Sequence, residues 1–418
     1  METTMPLVPT GLRRAAAMAT LSTLTLSSWP TGFAQTQPSS NMTTGSAGQM
    51  LAIEPLAPAF SLADADKAYA IWYSSTDGTA AGNDQAAQLT TSGVIFLPRG
   101  LPPAGGWPVI AWAHGTVGIG DSCAPSRNPR SERDAQYLNN WLKEGYAIVA
   151  TDYQGLGTPG PHAYLHSRAA AYATLDSVRA TLNTKELPLG NKIVIVGQSQ
   201  GAAAAFATAG FAPDYAPELK ILGTIATGTP HSGRPSKDGK IAYRSSPAEQ
   251  ERTDPSIAYI LYIAAVANQS KPRLPAEQVL SEKGLGAMKA AETTCVQQMF
   301  EVVKKEQLSW SNTFKSDFMS YYAQPFSKGQ FPTLKIATPV FFGIGGADRD
   351  APTKFQQDLA EQSCEAGTVV EAHTYPGMDH SQTVNSSFPN SRLFARKLFN
   401  GEKIAGNCVA KQETLSLR

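Results

Sequence analysis

No long apolar run, no excess of charge and no close-spaced cysteine pair marks this chain of 418 residues. Its 35 Lys and Arg stand against 34 Asp and Glu, a formal net charge of +1 at pH 7, so no basic footprint for a nucleic acid is present. The weakly apolar stretch from Ala15 through Leu26 is too short to span a bilayer, which takes about 20 residues. Its four cysteines, Cys123, Cys295, Cys364 and Cys408, lack any zinc-ligand spacing. There is no internal repeat, no heptad pattern and no dinucleotide-type Gly-rich loop. Neither a metal nor a cofactor is therefore expected.

The N-terminus does carry a pattern. Arg13-Arg14 precede the apolar stretch, and Gly32-Phe33-Ala34 offers small residues at cleavage-type positions. Residues 1–34 read as a signal peptide cut after Ala34, and the paired arginines also admit twin-arginine export. Residues 35–50, rich in Ser, Thr, Gly and Gln, read as a flexible linker. An exported chain, periplasmic or secreted, sits in an oxidising compartment, where four cysteines favour two disulfides. Sequence alone leaves three pairings open. The expectation is Cys364–Cys408, tying the tail to the last helices, with Cys123–Cys295 tying an insertion to the main domain.

From there the chain alternates. Strands are expected at Ala68 to Tyr73, Gln88 to Leu97, Trp107 to Ala113, Tyr146 to Ala150, Ile193 to Val196, Lys220 to Ala226, Pro339 to Ile344 and Val369 to Tyr375. Helical patterns fall between them at Arg133 to Glu144 and Ser167 to Leu182. Such alternation predicts an α/β fold, a mostly parallel central sheet with helices on both faces. Between Gly228 and Thr338 the rhythm stops for about a hundred residues of helical pattern, Ile257 to Ala267, Ala276 to Leu308 and Phe314 to Ala323. That is too long for a connection. It reads as a helical cap over 233–336, inserted after the sixth strand, which splits the core into 51–232 and 337–418.

The fifth of these strands ends in Gly197-Gln198-Ser199-Gln200-Gly201 and passes at once into the Ala-rich run Ala202 to Ala207. Strand, Gly-x-Ser-x-Gly, helix is the setting of a nucleophile elbow. The turn leaves no room for a Cβ at Gly197, and Gly201 permits close backbone approach. A serine nucleophile needs a base and a carboxylate to orient that base. In this chain order the base follows the last strand, which selects His380 in Tyr375-Pro-Gly-Met-Asp-His-Ser. His373, inside the preceding strand, reads as structural, as does His114; His162 and His166 lie in a loop, and His231 is a candidate pocket residue. The acid falls on Asp348 in Gly345-Gly-Ala-Asp-Arg-Asp-Ala-Pro352, four before the proline, with Asp350 its rival. Donors for the tetrahedral oxyanion are expected from the backbone N–H of Gln200 and of Thr116, in His114-Gly115-Thr116 after the third strand.

These segments, with Ala113-His-Gly-Thr-Val-Gly, Asp121-Ser-Cys-Ala-Pro-Ser126 and Asp152-Tyr-Gln-Gly-Leu-Gly-Thr-Pro-Gly-Pro-His-Ala-Tyr-Leu165, resemble the α/β-hydrolase superfamily. Within it they resemble the secretory lipase family, lipase A-like enzymes and exported bacterial esterases among them. The likeness runs from about residue 55 to the C-terminus, and Asp152–Leu165 is its most specific part. It implies a lipase or carboxylesterase with a Ser–Asp–His triad, a helical cap, two disulfides and no cofactor, and it supports Cys123–Cys295. Gln198 and Gln200 depart from relatives that carry aromatic or small residues there, and the Gln200 side chain is expected to narrow or polarise the acyl pocket.

The expected partner is a small-molecule or lipid ester. Tyr259, Tyr262, Met288, Met299, Phe300, Trp310 and Tyr321 either line an acyl or aryl channel or simply pack the cap. The rival readings are a secreted peptidase or acyltransferase on the same fold, or a binding protein derived from a hydrolase. The last would have lost a triad member, and all three are present.

Overall fold

The computed structural model of the chain describes residues 46–80, 87–232, 247–270, 273–315, 318–323 and 327–408. The expected signal peptide, 1–34, lies outside the described residues.

One nine-stranded sheet runs through the core in the order β1-β2-β3-β5-β4-β6-β7-β8-β9. Its strands are β1 (Met50–Pro55), β2 (Ala65–Thr76), β3 (Gln88–Pro98), β4 (Trp107–Ala113), β5 (Ala147–Thr151), β6 (Leu189–Gln198), β7 (Ile221–Thr227), β8 (Val340–Gly345) and β9 (Val370–Tyr375). From β5 to β9 every neighbouring pair is parallel, whereas β1, β2 and β3 add on antiparallel.

Period-two alternation builds both faces from runs that are apolar throughout. On β6, Ile193 and Ile195 face one core cluster with helices α2 (Ser167–Leu182) and α3 (Gln200–Tyr215). Val194 and Val196 face the other, where Tyr137, Trp141 and Leu142 of α1 (Glu132–Lys143) pack with Phe394 and Leu398 of the C-terminal helix, Phe388–Phe399. Continuous β-branched and aromatic residues are what a strand buried on both sides requires.

Two expectations about the N-terminal part are corrected. The stretch read as linker through Met50 is fixed from Ser46 on: Gly48 N–H donates to Ser74 O at 2.8 Å and Gln49 N–H to Ser74 Oγ at 3.0 Å. Met50 itself opens β1. The helical insertion therefore follows the seventh strand, not the sixth. β1 is an edge strand with no fully buried residue, so it lacks the alternation that would have betrayed it.

The insertion between β7 and β8 holds α4 (Pro247–Glu251), α5 (Ile257–Gln269), α6 (Glu282–Ala291), α7 (Val296–Lys305), α8 (Trp310–Thr313) and α9 (Phe318–Tyr321). The single helix expected over Ala276 to Leu308 is broken. Ser281 caps α6 by accepting from Gly284 N–H, and Cys295 stands at the N-terminus of α7. Phe314, expected to open a helix, instead forms a bridge with Leu280. After β8 come α10 (Thr353–Glu365), α11 (Gln382–Ser386) and α12 (Phe388–Phe399). Both disulfides are present, Cys123–Cys295 between a core loop and the insertion, and Cys364–Cys408 between α10 and the tail. No helix among the described residues is long and apolar enough to cross a membrane.

Candidate active site

Ser199, Asp348 and His380 follow β6, β8 and β9, at the carboxyl ends of the parallel strands, where sites in such sheets assemble. Ser199 stands between β6 and α3 with φ 57° and ψ −124°, a backbone conformation that stores strain in a non-glycine residue. Its neighbours make the turn feasible. A Cβ on Gly197 would lie 1.9 Å from Gly201 O, and one on Gly201 would lie 1.9 Å from Ala113 O. Ser199 N–H donates to Thr227 O at 2.9 Å, and Ser199 O accepts from Ala202 and Ala203 as α3 begins.

His380 is buried, and its Nδ1 lies 2.7 Å from Asp348 Oδ2. Asp348, 5% exposed, is held on both oxygens. Oδ1 accepts the N–H groups of Asp350 (3.0 Å) and Ala351 (2.9 Å), while Oδ2 also accepts from Gln356 Nε2 at 2.9 Å. Three donors hold this carboxylate aimed at the imidazole. Gly228 closes the other side: with φ +65°, a Cβ there would come within 3.0 Å of His380 Cε1 and Nδ1.

The rivals are engaged elsewhere. Asp350 lends its backbone N–H to Asp348. Asp379 Oδ1 accepts from Ser381 and Gln382 N–H at the start of α11. Asp152 is buried under Ser92 Oγ and Ser126 N–H. His373 pairs with Glu371 and stacks on Phe341, and His231 contacts Gln362 and Phe331 rather than the triad. His114 sits below the oxyanion loop between Gly115 O (2.7 Å) and Asp152 O (3.3 Å), and burial holds its pKa down. His162 donates Nδ1–H to Gln154 O at 3.0 Å, and burial lowers its pKa to about 4.

Thr116 and Gln200, the expected oxyanion residues, are joined through their side chains. Thr116 Oγ1–H donates to Gln200 Oε1 at 3.2 Å and lies 2.9 Å from Tyr164 OH. A carboxamide oxygen only accepts, so the single hydroxyl proton of Thr116 is committed to Gln200. Tyr164 must then donate to Thr116. The Gln200 side chain is thus held by the oxyanion loop. Gln198 is the glutamine that reaches the base, its Nε2 3.1 Å from His380 Nε2.

Gln198, Gln356 and Tyr164 are the site residues that sequence reasoning missed. Only Gln198 carried a signal, as an unusual residue beside the serine. The cap residues largely pack their own core: Tyr262, Met288 and Met299 are buried in it, Tyr262 OH donates to Thr294 O, Tyr321 OH to Pro275 O and Trp310 Nε1–H to Asp254 Oδ2. Tyr259 packs on this core too, edge-on to Phe300 with centroids 5.8 Å apart, and also faces the His380–Asp348 side. Asp350, Asp348 and Arg133 all act electrostatically on its phenol, whose pKa burial raises. A cavity of about 430 Å³ elsewhere, beside Asp121, His162 and Glu292, is lined by no triad residue.

Residues 130–236 match the family described as secretory lipase. The chain has the α/β-hydrolase fold and is similar to the secretory lipases. Two similar proteins are secreted triacylglycerol lipases of Malassezia furfur. LIP2 is 24% identical over 69% of this chain and 63% of its own length, and LIP1 is 26% identical over 70% and 62%. The chain thus spans under two thirds of the length of these relatives. Among solved structures, Candida antarctica lipase A superposes with a TM-score of 0.65 at 19% identity, covering 87% of this chain and 85% of that one. The rice cell wall degrading esterase LipA from Xanthomonas oryzae gives 0.65 at 19% identity, covering 86% and 100%. At that identity the structures speak for the fold.

Proposed function

We propose that this hydrolase is exported and cleaves carboxylic esters of hydrophobic acyl or aryl groups through an acyl-enzyme. The observation that carries the reading is the buried 2.7 Å His380–Asp348 pair, 3.1 Å from the side chain of the residue that precedes a strained serine at a strand-to-helix turn. Ser199 Oγ attacks the ester carbonyl as His380 Nε2 takes its proton. Asp348 holds Nδ1–H and stabilises the imidazolium that forms. The N–H groups of Gln200 and Thr116 receive the oxyanion, each worth ~2.7–4 kcal/mol in the transition state. His380 returns the proton to the leaving alcohol. Water then attacks the acyl-enzyme by the same route and frees Ser199. The insertion serves as a cap, and Tyr259 brings an aromatic surface to the acyl side.

Purified protein screened against p-nitrophenyl esters of short to long acyl chains tests this. Turnover that falls at least about 10⁴-fold in Ser199→Ala is expected. Equal turnover by that variant, or none by the parent, sinks the reading. A phosphonate probe should label Ser199 and no other serine.

A further inference from the structure

Gln198 closes β6 and is 2% exposed. Its Oε1 lies over Gly115, where a Cβ would come within 2.4 Å of it, so the glycine of His114-Gly115-Thr116 makes room for this side chain. Its Nε2 is 3.1 Å from His380 Nε2. The other ring nitrogen, Nδ1, is 2.7 Å from Asp348 Oδ2. A carboxylate only accepts, so Nδ1 carries the proton and Nε2 of the neutral ring is a bare lone pair. The Gln198 amide therefore donates into it; a flipped amide would set oxygen against lone pair. Among the described residues Ser199 Oγ has no hydrogen-bond partner. Nε2 has one in-plane lone pair, and Ser199 must deliver its proton to that same place.

We propose that Gln198 is a positioning residue whose amide N–H occupies the His380 Nε2 lone pair in the resting site and cedes it to Ser199 Oγ when an ester enters. This rests on the ester-hydrolase reading above. A donor on Nε2 favours the neutral ring over the imidazolium, whose Nε2–H would face another N–H. Gln198 thus competes with Ser199 for that lone pair. Other charged or titratable groups lie near the pair: Asp348 and Asp350 on the β8–α10 loop, Asp379 next to His380 in sequence, Arg133 of α1, whose Nη1 reaches Ser381 Oγ at 3.4 Å, and Tyr259 of α5, on which Asp348, Asp350 and Arg133 act. None of these changes in a Gln198 variant.

The test uses the full chain with Gln198→Met, which keeps the bulk and removes the donor, and Gln198→Glu, which accepts from the imidazolium. Gln198→Met is expected to move the acid limb of kcat/KM for p-nitrophenyl butyrate to higher pH by about half a unit to one unit. That is a three- to tenfold loss on the acid side, the size of one neutral hydrogen bond. Gln198→Glu is expected to move it further. The ¹⁵N resonances of His380, followed by NMR in a Ser199→Ala background, should shift their midpoint in parallel and need no turnover. A uniform rate loss with an unmoved midpoint, or no change in either variant, overturns the proposal. If the parent hydrolyses no ester, the hydrolase reading fails alone, and the ¹⁵N midpoints still decide the Gln198–His380 contact.

Discussion

The sheet and the inserted segment are both well packed, but by different means. In the sheet, strands alternate their side chains between two clusters, so each strand ties two helical layers together. The insertion buries its residues mostly in a cluster of its own, centred on α5, whose sequence Ile-Ala-Tyr-Ile-Leu-Tyr-Ile-Ala-Ala-Val-Ala-Asn-Gln is apolar nearly all round. From the core, Ile119 and Tyr164 enter that cluster. The joint also holds the Cys123–Cys295 bridge and the Val296 N–H to Val117 O bond, and on the far side Ser167 bonds to Lys328 O and Gly329 O while Phe331 packs on Phe206. A cap with its own core can loosen or shift while the sheet keeps the triad aligned.

The largest expected effect tests whether the chemistry resides wholly on the sheet side. Asp348→Asn should lower kcat about 10⁴-fold by spoiling the tautomer of His380, with little change in Tm. Asp350→Asn should stay within a few-fold, since Asp350 serves Asp348 through its backbone N–H. The opposite order would move the acid to Asp350. Next in size is the joint itself. Removing Cys123–Cys295 as the double alanine variant should cost about 2–5 kcal/mol. It should speed hydrogen exchange in α5, α6 and α7 before the sheet strands. The bridge spans 172 residues and Cys364–Cys408 only 44, so a chain-entropy account makes the first about 1 kcal/mol the stronger. Equal losses, or exchange that spreads through the sheet at once, would show that the two regions unfold as one.

A smaller effect separates them by pH. His162 lies in the core loop under the insertion, and burial lowers its pKa from 6.5 to about 4. Above the unfolded value both states are neutral there and its contribution is complete. As pH falls from about 6.5 toward 4, the unfolded chain takes up a proton that the folded chain refuses, and stability drains away. The loss approaches about 1.4 kcal/mol per pH unit within that window. His166 behaves alike, lowered to about 4 first by burial. In His162→Gln the urea midpoint should fall less between pH 7 and 5 than in the parent. An identical slope would assign the acid sensitivity elsewhere.

The same contrast governs what was legible beforehand. Sheet residues announce themselves, because a strand buried on both sides must be apolar along its length. Trp107–Ala113 and Ser167–Leu182 fall where the pattern puts them. The elbow was legible because its glycines have steric work that no other residue can do. The insertion was legible as helical, but its breaks were not. They depend on Ser281 and Ser309 as caps and on the Leu280–Phe314 bridge, each fixed by a partner 3 to 34 residues away. The partners of the triad were hidden for the same reason. Gln356 lies one helical start beyond Asp348, and only folding turns its amide onto that carboxylate.

The smallest effect probes a hydroxyl at the joint of both regions. Tyr164 packs its ring against Tyr262 of α5, with centroids 5.9 Å apart, while its OH donates to Thr116 Oγ1, which in turn donates to Gln200 Oε1. Tyr164→Phe keeps the ring contact and removes the first donor. Thr116 then loses the donor that fixes its lone pair, and the loop proposed to offer its N–H to the oxyanion gains freedom. One neutral hydrogen bond of about 1 kcal/mol translates into about a fivefold lower kcat. KM should change little, because the acyl side is untouched. Tyr262→Phe, which loses only the bond to Thr294 O inside the insertion, should leave kcat alone. If instead Tyr164→Phe raises KM at constant kcat, the tyrosine serves substrate binding, and the insertion is tied to the Thr116 loop by the disulfide and the Val296 N–H to Val117 O bond.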